Sequence, residues 1–278
     1  MDQIKLQQHK NPTILRLLSY NIQVGIQTRH FADYIIASWQ HLLPNQKRLE
    51  NLYKMSQLLK SYDLVALQEV DGGSVRSSFI NQVEYLANYA GFPHWYHQCN
   101  RNLGKIAQHS NGLLSKIPVN KIINHKLPGL IPGRGAIEAI IGNGQNLKIF
   151  VAHLALGKRA RKLQIQYLAE IIQDSPHVII MGDLNCSSDE LLEHFDKNNV
   201  QLKDTASEQL ATFPSWQPTR QYDHILISPS LEVVSHSVLP NLISDHLPVA
   251  LEVSLPASIL STQARKNNVH PMRISNES

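Results

Sequence analysis

Four short polar motifs, each closing or interrupting an apolar run, hold the residue types that phosphoester chemistry uses. Asn21 ends ILRLLSYN, Glu69 ends DLVALQE, and Asp183 and Asn185 end VIIMGDLN. Asp245 and His246 sit in LISDHLPVALEV. Hydrolysis at phosphorus needs a clamp on the non-bridging oxygens, an activated water and help for the leaving oxygen. A hard divalent cation with oxygen ligands supplies the first of these. Glu69 is the leading ligand candidate, because nothing in its apolar run otherwise calls for a carboxylate. The Asn21 amide can bind a metal-held water or a phosphate oxygen. Asp183 and Asn185 are two residues apart, so along an extended chain they face one way. An aspartate there can orient the attacking water and an amide can stabilise the charged transition state. Chemistry rather than folding is the expected task of both.

The Ser244-Asp245-His246 segment adds an imidazole able to hydrogen-bond phosphate or to act as an acid–base group. Asp223, in Tyr222-Asp223-His224, is distant in sequence, as the orienting partner of a catalytic histidine usually is. His153 ends FVAHL and can make another phosphate contact. Asn111, in SNGLLS, and Arg134, between Gly133 and Gly135, are candidates for holding substrate. Each residue alone has a plainer reading. A strand-end glutamate can face water, a lone asparagine commonly forms a turn, and a lone strand-end histidine is more often structural. The ensemble carries the functional reading. Lys158, Arg159, Arg161 and Lys162 fit either an anion site or a solvated helix face. No His-Glu-x-x-His zinc spacing is present.

The elements that must position these residues read as follows. Apolar runs bounded by turn residues predict buried strands near 15–20, 64–68, 112–115, 119–125, 136–141, 147–153, 178–181, 222–227, 231–238 and 249–255. Gly142-Asn143-Gly144 suits a hairpin turn. Helical spacing predicts an amphipathic helix near 46–61. A second carries Phe79, Ile80, Val83, Leu86 and Ala87 and closes at Gly91. A third spans 158–173, with Leu163, Tyr167, Leu168, Ile171 and Ile172 as its apolar face, and a short one lies near 189–198. Residues 22–44 form a long connection containing Phe31, Tyr34 and Trp39. This mixture predicts two packed sheets flanked by helices. The expected organisation is a flexible start at 1–12, one catalytic domain at 13–256 and a flexible tail at 257–278.

With 278 residues, 42% of them hydrophobic, the chain is long enough for a large single core. A net charge of +4 is compatible with an anionic substrate without identifying one. Cys99 and Cys186 do not make a disulfide framework, and Cys186 reads as a small packed residue rather than a nucleophile. No apolar stretch reaches the length of a membrane span, and MDQIKLQQHK lacks the apolar core of a signal peptide. A cytoplasmic location is the expectation.

The ordered set SYN (19–21), LQEVD (67–71), SNGLLS (110–115), AHL (152–154), GDLN (182–185), YDHI (222–225) and SDHLPV (244–249) resembles the endonuclease/exonuclease/phosphatase superfamily. The resemblance implies an α+β fold, a four-layer αββα sandwich with two packed mixed β-sheets. It also implies magnesium- or manganese-dependent phosphoester hydrolysis. It carries over Glu69 as metal ligand, Asn21 as metal-side or phosphate contact, Asp245 as metal or water contact and Asp183 as water-orienting group. Asn185 becomes a transition-state contact, His153 and His246 phosphate or acid–base residues, and Asp223 the partner of His246. SYNIQVG and AQHSNG depart from the versions typical of abasic-site repair enzymes. The fit is closer to a broad bacterial phosphodiesterase group that includes sphingomyelinase-like enzymes. The reading is therefore a metal-dependent phosphodiesterase acting on a small-molecule, phospholipid or nucleic-acid phosphoester, with no obligate protein partner. A nuclease is the nearest alternative and a non-catalytic binding module on the same fold the more distant one. A lipid-like or small phosphoester is expected to outperform abasic-site DNA.

Overall fold

The computed structural model describes residues 13–26, 46–130, 132–142, 147–206, 210–256 and 259. Among these residues twelve strands form two six-stranded sheets. The first contains β1 (Thr13–Asn21), β2 (Leu64–Asp71), β3 (His94–Asn102), β4 (Gln108–Ser115), β11 (Glu232–Val238) and β12 (Val249–Leu255), in the order β11-β12-β1-β2-β4-β3. The second contains β5 (Lys121–Lys126), β6 (Gly135–Ile141), β7 (Leu147–His153), β8 (His177–Asp183), β9 (Lys203–Asp204) and β10 (Asp223–Ile227), in the order β5-β6-β7-β8-β10-β9.

Each sheet holds one parallel pair, β1 with β2 and β7 with β8, and its other pairs are antiparallel. A parallel pair requires a crossover, and the crossovers bring helices to the outer faces. Helix α1 (Gln46–Leu59) lies in the first crossover. It packs Leu52, Met55 and Leu59 on the outward residues Leu18, Tyr20, Val65 and Leu67, joined by α2 (Gln82–Ala90) through Val83 and Leu86. Helix α3 (Lys158–Ile172) lies in the second and packs Ile165, Leu168 and Ile172 on Phe150, Val178 and Ile180, joined by α4 (Ser188–Asp196) through Leu191 and Phe195. The result is the four-layer αββα sandwich. Between the sheets lies a third core containing Leu15, Leu17, Ala66, Ile149, Val151, Ile179, Met181 and Ile225. Full burial of each such leucine or isoleucine contributes roughly 1.5–3 kcal/mol.

That inner layer changes character at one end. Along β1 the inward positions run Leu15, Leu17, Ser19, Asn21; along β8 they run Ile179, Met181, Asp183. The same switch takes β2 from Ala66 to Gln68, β4 from Leu113 to Asn111, β7 from Val151 to His153 and β10 from Ile225 to Asp223. Strand alternation thus gathers the polar motifs at one edge of an otherwise apolar interlayer.

Several expectations change. β3 went unrecognised because its sequence, HWYHQCNRN, is mostly polar and only partly buried. Phe79 is 67% exposed and Ile80 precedes α2, which is capped by Asn81 instead: its Oδ1 accepts from the amides of Val83 and Glu84. Leu163 faces outward from α3 while Ile165 and Ala169 face the sheet, so the buried stripe is rotated from the expected one. Ile259, within the expected tail, is buried in the inner core. The expected flexible start at 1–12, the Phe31–Tyr34–Trp39 connection, the centre of the Gly142–Gly144 turn and the rest of the tail lie outside the described residues. Among the described residues no helix is long and apolar enough to cross a membrane.

Candidate active site

Asp183 is the hub of the polar end. Its Oδ2 accepts a hydrogen bond from Asn21 Nδ2 at 3.1 Å, across the two sheets. The same oxygen lies 3.4 Å from His153 Nε2 and 3.8 Å from His246 Nε2. Register places His153, Asp183 and Asp223 side by side on β7, β8 and β10. Gly182 makes this row possible: its φ is +152°, and a Cβ there would strike the Ala152 carbonyl. Beyond the strand, Asn185 adopts φ +55°, a left-handed conformation that asparagine tolerates better than most residues. Its backbone N–H donates to Asp183 Oδ1 at 3.1 Å and its Nδ2 donates to the Leu154 carbonyl at 2.9 Å.

His246 and Asp223 come together as a pair. His246 Nδ1 lies 2.8 Å from Asp223 Oδ2, which also accepts from the Thr212 hydroxyl at 2.6 Å. The His246 ring packs on Phe213, with centroids 4.8 Å apart. Burial works against a charged imidazole, but the Asp223 and Asp183 carboxylates outweigh it and hold His246 well above the ordinary histidine range. For His153 burial prevails, helped by the Arg134 and His246 charges, and its affinity for a proton falls well below the ordinary range. The two imidazoles flanking Asp183 are thus biased toward opposite protonation states. Asp183 itself is pushed up, first by burial and then by the nearby Asp223 and Glu69 carboxylates, against the lowering effect of His246.

Glu69 reaches the site through a break in strand alternation. The register of β2 against β4 shifts between Leu67 and Val70, and Glu69 has φ +53°. A bulge of this kind re-aims a side chain. Leu67 and Val70 stay in the outer core while Glu69 lines a cavity with Asn111, Arg134 and His153. Asp245 sits between Ser244 and His246, its Oδ1 3.3 Å from Ser244 Oγ, and that hydroxyl donates to the Asn21 carbonyl at 2.7 Å. Asp245 is pushed up to about 6, first by burial and then by Glu69 despite the proximity of His246.

The sequence-derived candidates therefore fall into two adjoining groups. Asn21, Asp183, Asn185, Asp223, Asp245 and His246 form the buried end of the interlayer. Asn111 and Arg134 line the neighbouring cavity, which Glu69 and His153 also face. A family model described as Endonuclease/Exonuclease/phosphatase family matches residues 18–246.

The chain belongs to the Endonuclease/Exonuclease/phosphatase family. The match spans six of the seven motif segments whole and reaches Ser244–His246 of the seventh. Solved family structures share the fold at low identity. One from Beutenbergia cavernae aligns with TM-score 0.68 at 16% identity over 88% of this chain and 72% of its own. One from Bacteroides thetaiotaomicron gives TM-score 0.66 at 18% identity over 89% of this chain and 100% of its own. A mannosyl-6-phosphatase from the same organism gives TM-score 0.60 at 18% identity over 87% of this chain and 100% of its own. No curated protein matches the chain by sequence.

Around this candidate site, several supporting residues carry no local mark in the sequence. Gln82 accepts from the Asp71 amide at 2.9 Å and donates to the Val24 carbonyl at 3.0 Å, tying together the ends of the strands that carry Asn21 and Glu69. Thr212 and Phe213 meet the site through contacts distant in sequence, so no local pattern marks them. Arg161, one of the four cations opening α3, turns inward: Nη2 lies 2.7 Å from Glu190 Oε1, and Nη1 donates to the Ala155 and Leu156 carbonyls. It pins the loop after His153 rather than offering a free cation. Cys186 is buried, donates to the Leu184 carbonyl at 3.3 Å, and is pushed up to about 12 by burial, which suits a packed thiol.

The contacts of Asn185 revise one expectation. Asn185→Ala is expected to lower kcat by about 10²–10³-fold, the range for removing one transition-state donor. It should also lower stability by about 1–2 kcal/mol, because alanine is strained at this φ and the Leu154 carbonyl loses its partner. Thermal melts alongside steady-state kinetics check both parts. A normal rate in a variant that melts early would reduce Asn185 to a turn residue.

Proposed function

We propose that this chain is a phosphoester hydrolase, a phosphodiesterase dependent on magnesium or manganese. The observation that carries the reading is the placement of one buried carboxylate, Asp183, within reach of an amide from the first sheet and two imidazoles. In this reading Asp183 orients the attacking water and Asn185 steadies the developing charge. His246, held by Asp223, contributes a hydrogen bond or a proton at phosphate, and His153 a further phosphate contact. Asn111 and Arg134 hold the substrate beside them.

The residues fit a divalent cation. Glu69 raises the proton affinity of both Asp245 and Asp183, a surplus of negative charge that a cation relieves. Glu69, Asp245 and Asn21 would hold it. Asp183, Asp223 and His246 also offer donor atoms within 4.8 Å of one another, but Asp223 and His246 are already engaged with each other. When bound, the cation supplies charge neutralisation at the phosphoryl oxygens. The buried carboxylates and imidazoles then position water and proton.

Metal removal tests this proposal. Chelator should abolish hydrolysis of bis(4-nitrophenyl) phosphate, and magnesium or manganese should restore it. Manganese affinity, read by electron paramagnetic resonance, should fall at least about tenfold in Glu69→Gln, since even outer residues of metal sites cost that much. Full turnover in chelator would sink the metal dependence.

A further inference from the structure

We infer that the cavity beside Glu69 and His153 seats an alkyl chain, so that the substrate is a phosphoester carrying an alkyl or acyl group. The inference rests on the phosphoesterase reading of the adjoining site. The cavity holds about 620 Å³, within the range of pockets that bury small molecules. Glu69, Asn111 and His153 line it where it meets the proposed phosphate position.

Part of its remaining wall is apolar where solvent exposure would favour polar residues. Leu156, in the loop after β7, is 73% exposed; Leu163, on the outward face of α3, is 47% exposed; Leu130, on a separate loop, is 97% exposed. All three line this one cavity, together with Pro132 and Ala160. Ala160 and Leu163 are three residues apart on α3 and so share a face, away from the Ile165–Leu168–Ile172 stripe that covers the sheet. Scattered single leucines on a surface need no explanation, but leucines from three segments converging on one mouth beside a polar site mark a ligand seat.

The chemistry of the walls selects among ligands. Sequence-tolerant binding of nucleic-acid bases stacks them on aromatic rings. Among the described residues lining the cavity there is no phenylalanine, tyrosine or tryptophan. Gln164, a polar wall residue, is occupied, accepting from the Ala155 amide at 2.8 Å and donating to the Pro128 carbonyl at 3.0 Å. An alkyl chain needs neither aromatic rings nor polar partners. Arg134 lies near Glu69 and Asp183 and makes no side-chain hydrogen bond with a described residue; with Arg101 and Arg159 it gives the cavity a cationic margin suited to the anionic end of the ligand.

The test is a calorimetric titration of the full chain, in magnesium buffer, with ethyl-, butyl-, hexyl- and octylphosphonate. Affinity should rise by up to about fourfold per buried methylene, giving at least about a tenfold gain from ethyl to octyl. Leu156→Asp and Leu163→Gln are exposed substitutions, and each should weaken octylphosphonate far more than ethylphosphonate. Affinity independent of chain length would overturn the inference, as would a chain-length slope that both variants leave intact. Tighter binding of a dinucleotide than of octylphosphonate would also overturn it and assign the cavity to nucleic acid. A second arm uses phosphatidylglycerol vesicles. Flotation with them, lost in Leu156→Asp, would support a bilayer source for the chain, and octylphosphonate binding without flotation would support a free alkyl ester. Hydrolysis of bis(4-nitrophenyl) phosphate is scored separately. Its absence would sink the phosphoesterase reading, whereas the binding titrations decide the seat.

Discussion

Asp223→Asn and His246→Ala are each expected to lower kcat by about 10²–10⁴-fold, the contribution typical of a positioned acid–base group. The double variant should be little slower than the worse single one. The reason is the 2.8 Å contact between His246 Nδ1 and Asp223 Oδ2, which makes the two side chains one unit. The pH profile carries a second signature. Burial alone would strip the proton from His246, and it is Asp223, with help from Asp183, that keeps the imidazole charged above the ordinary range. Removing the Asp223 charge takes away the largest influence that opposes burial, so any rate limb that reports His246 should move to lower pH in Asp223→Asn. Phe213 should keep the ring in place in that variant and Thr212 the side chain at 223, so the change reports charge rather than collapse. Losses that add in the double variant, with an unmoved pH profile, would separate the two residues.

The legibility of this pair in the sequence was of a limited kind. YDH and SDH each showed a polar group at the edge of an apolar strand, and extended alternation gave the direction in which Asp183 faces. The fold was legible for the same reason: β7 and β12 carry mostly apolar runs, broken at Lys148 and at Glu252 and Ser254, whose ends match the expected ones. What was not legible depended on departures from regular periodicity or on distant contacts. Glu69 faces the site because a bulge breaks the alternation of β2, and nothing in VALQEVD marks that break. Strand β3 hides because an edge strand with a half-exposed face has little apolar pattern. Leu163 looked like core on helical spacing, yet the helix is rotated so that Gln164 and Arg161 are buried instead, each satisfied by backbone carbonyls or amides of the adjoining loops. A buried glutamine and arginine reverse the inference from hydropathy to orientation, and only their partners reveal it.

Asp71→Asn should destabilise the folded chain by about 3–5 kcal/mol at neutral pH, the cost of leaving one member of a buried ion pair without its partner. Asp71 is fully buried and paired with Arg76, itself only 3% exposed. Its Oδ1 accepts from the amides of Gly73 and Ser74 at 2.9 and 2.7 Å and from the Ser77 hydroxyl at 2.8 Å. Its Oδ2 takes the Ser74 hydroxyl at 2.8 Å. An asparagine cannot accept at both positions, and its NH₂ would face donors. Burial pushes the carboxyl up, but Arg76 and these donors more than reverse it and hold Asp71 below the ordinary carboxylate range. The sign of the pH dependence follows. Between the folded and unfolded values the unfolded chain binds the extra proton, so stability is complete above about pH 4, the unfolded value. It is lost as pH falls through the depressed folded value. Urea denaturation at pH 7 and at pH 3 should show the wild-type advantage over Asp71→Asn shrinking on acidification. The additional change Arg76→Met should recover part of the loss by removing the stranded charge. A neutral-pH loss below about 1 kcal/mol would mean that the pair contributes no more than an exposed one. Asp71 lies two residues beyond Glu69, and Gln82 holds its amide against the Val24 carbonyl. The same buried pair that stabilises this turn therefore fixes where the Glu69 carboxylate is presented, and activity lost by Asp71→Asn should exceed the fraction of chain unfolded.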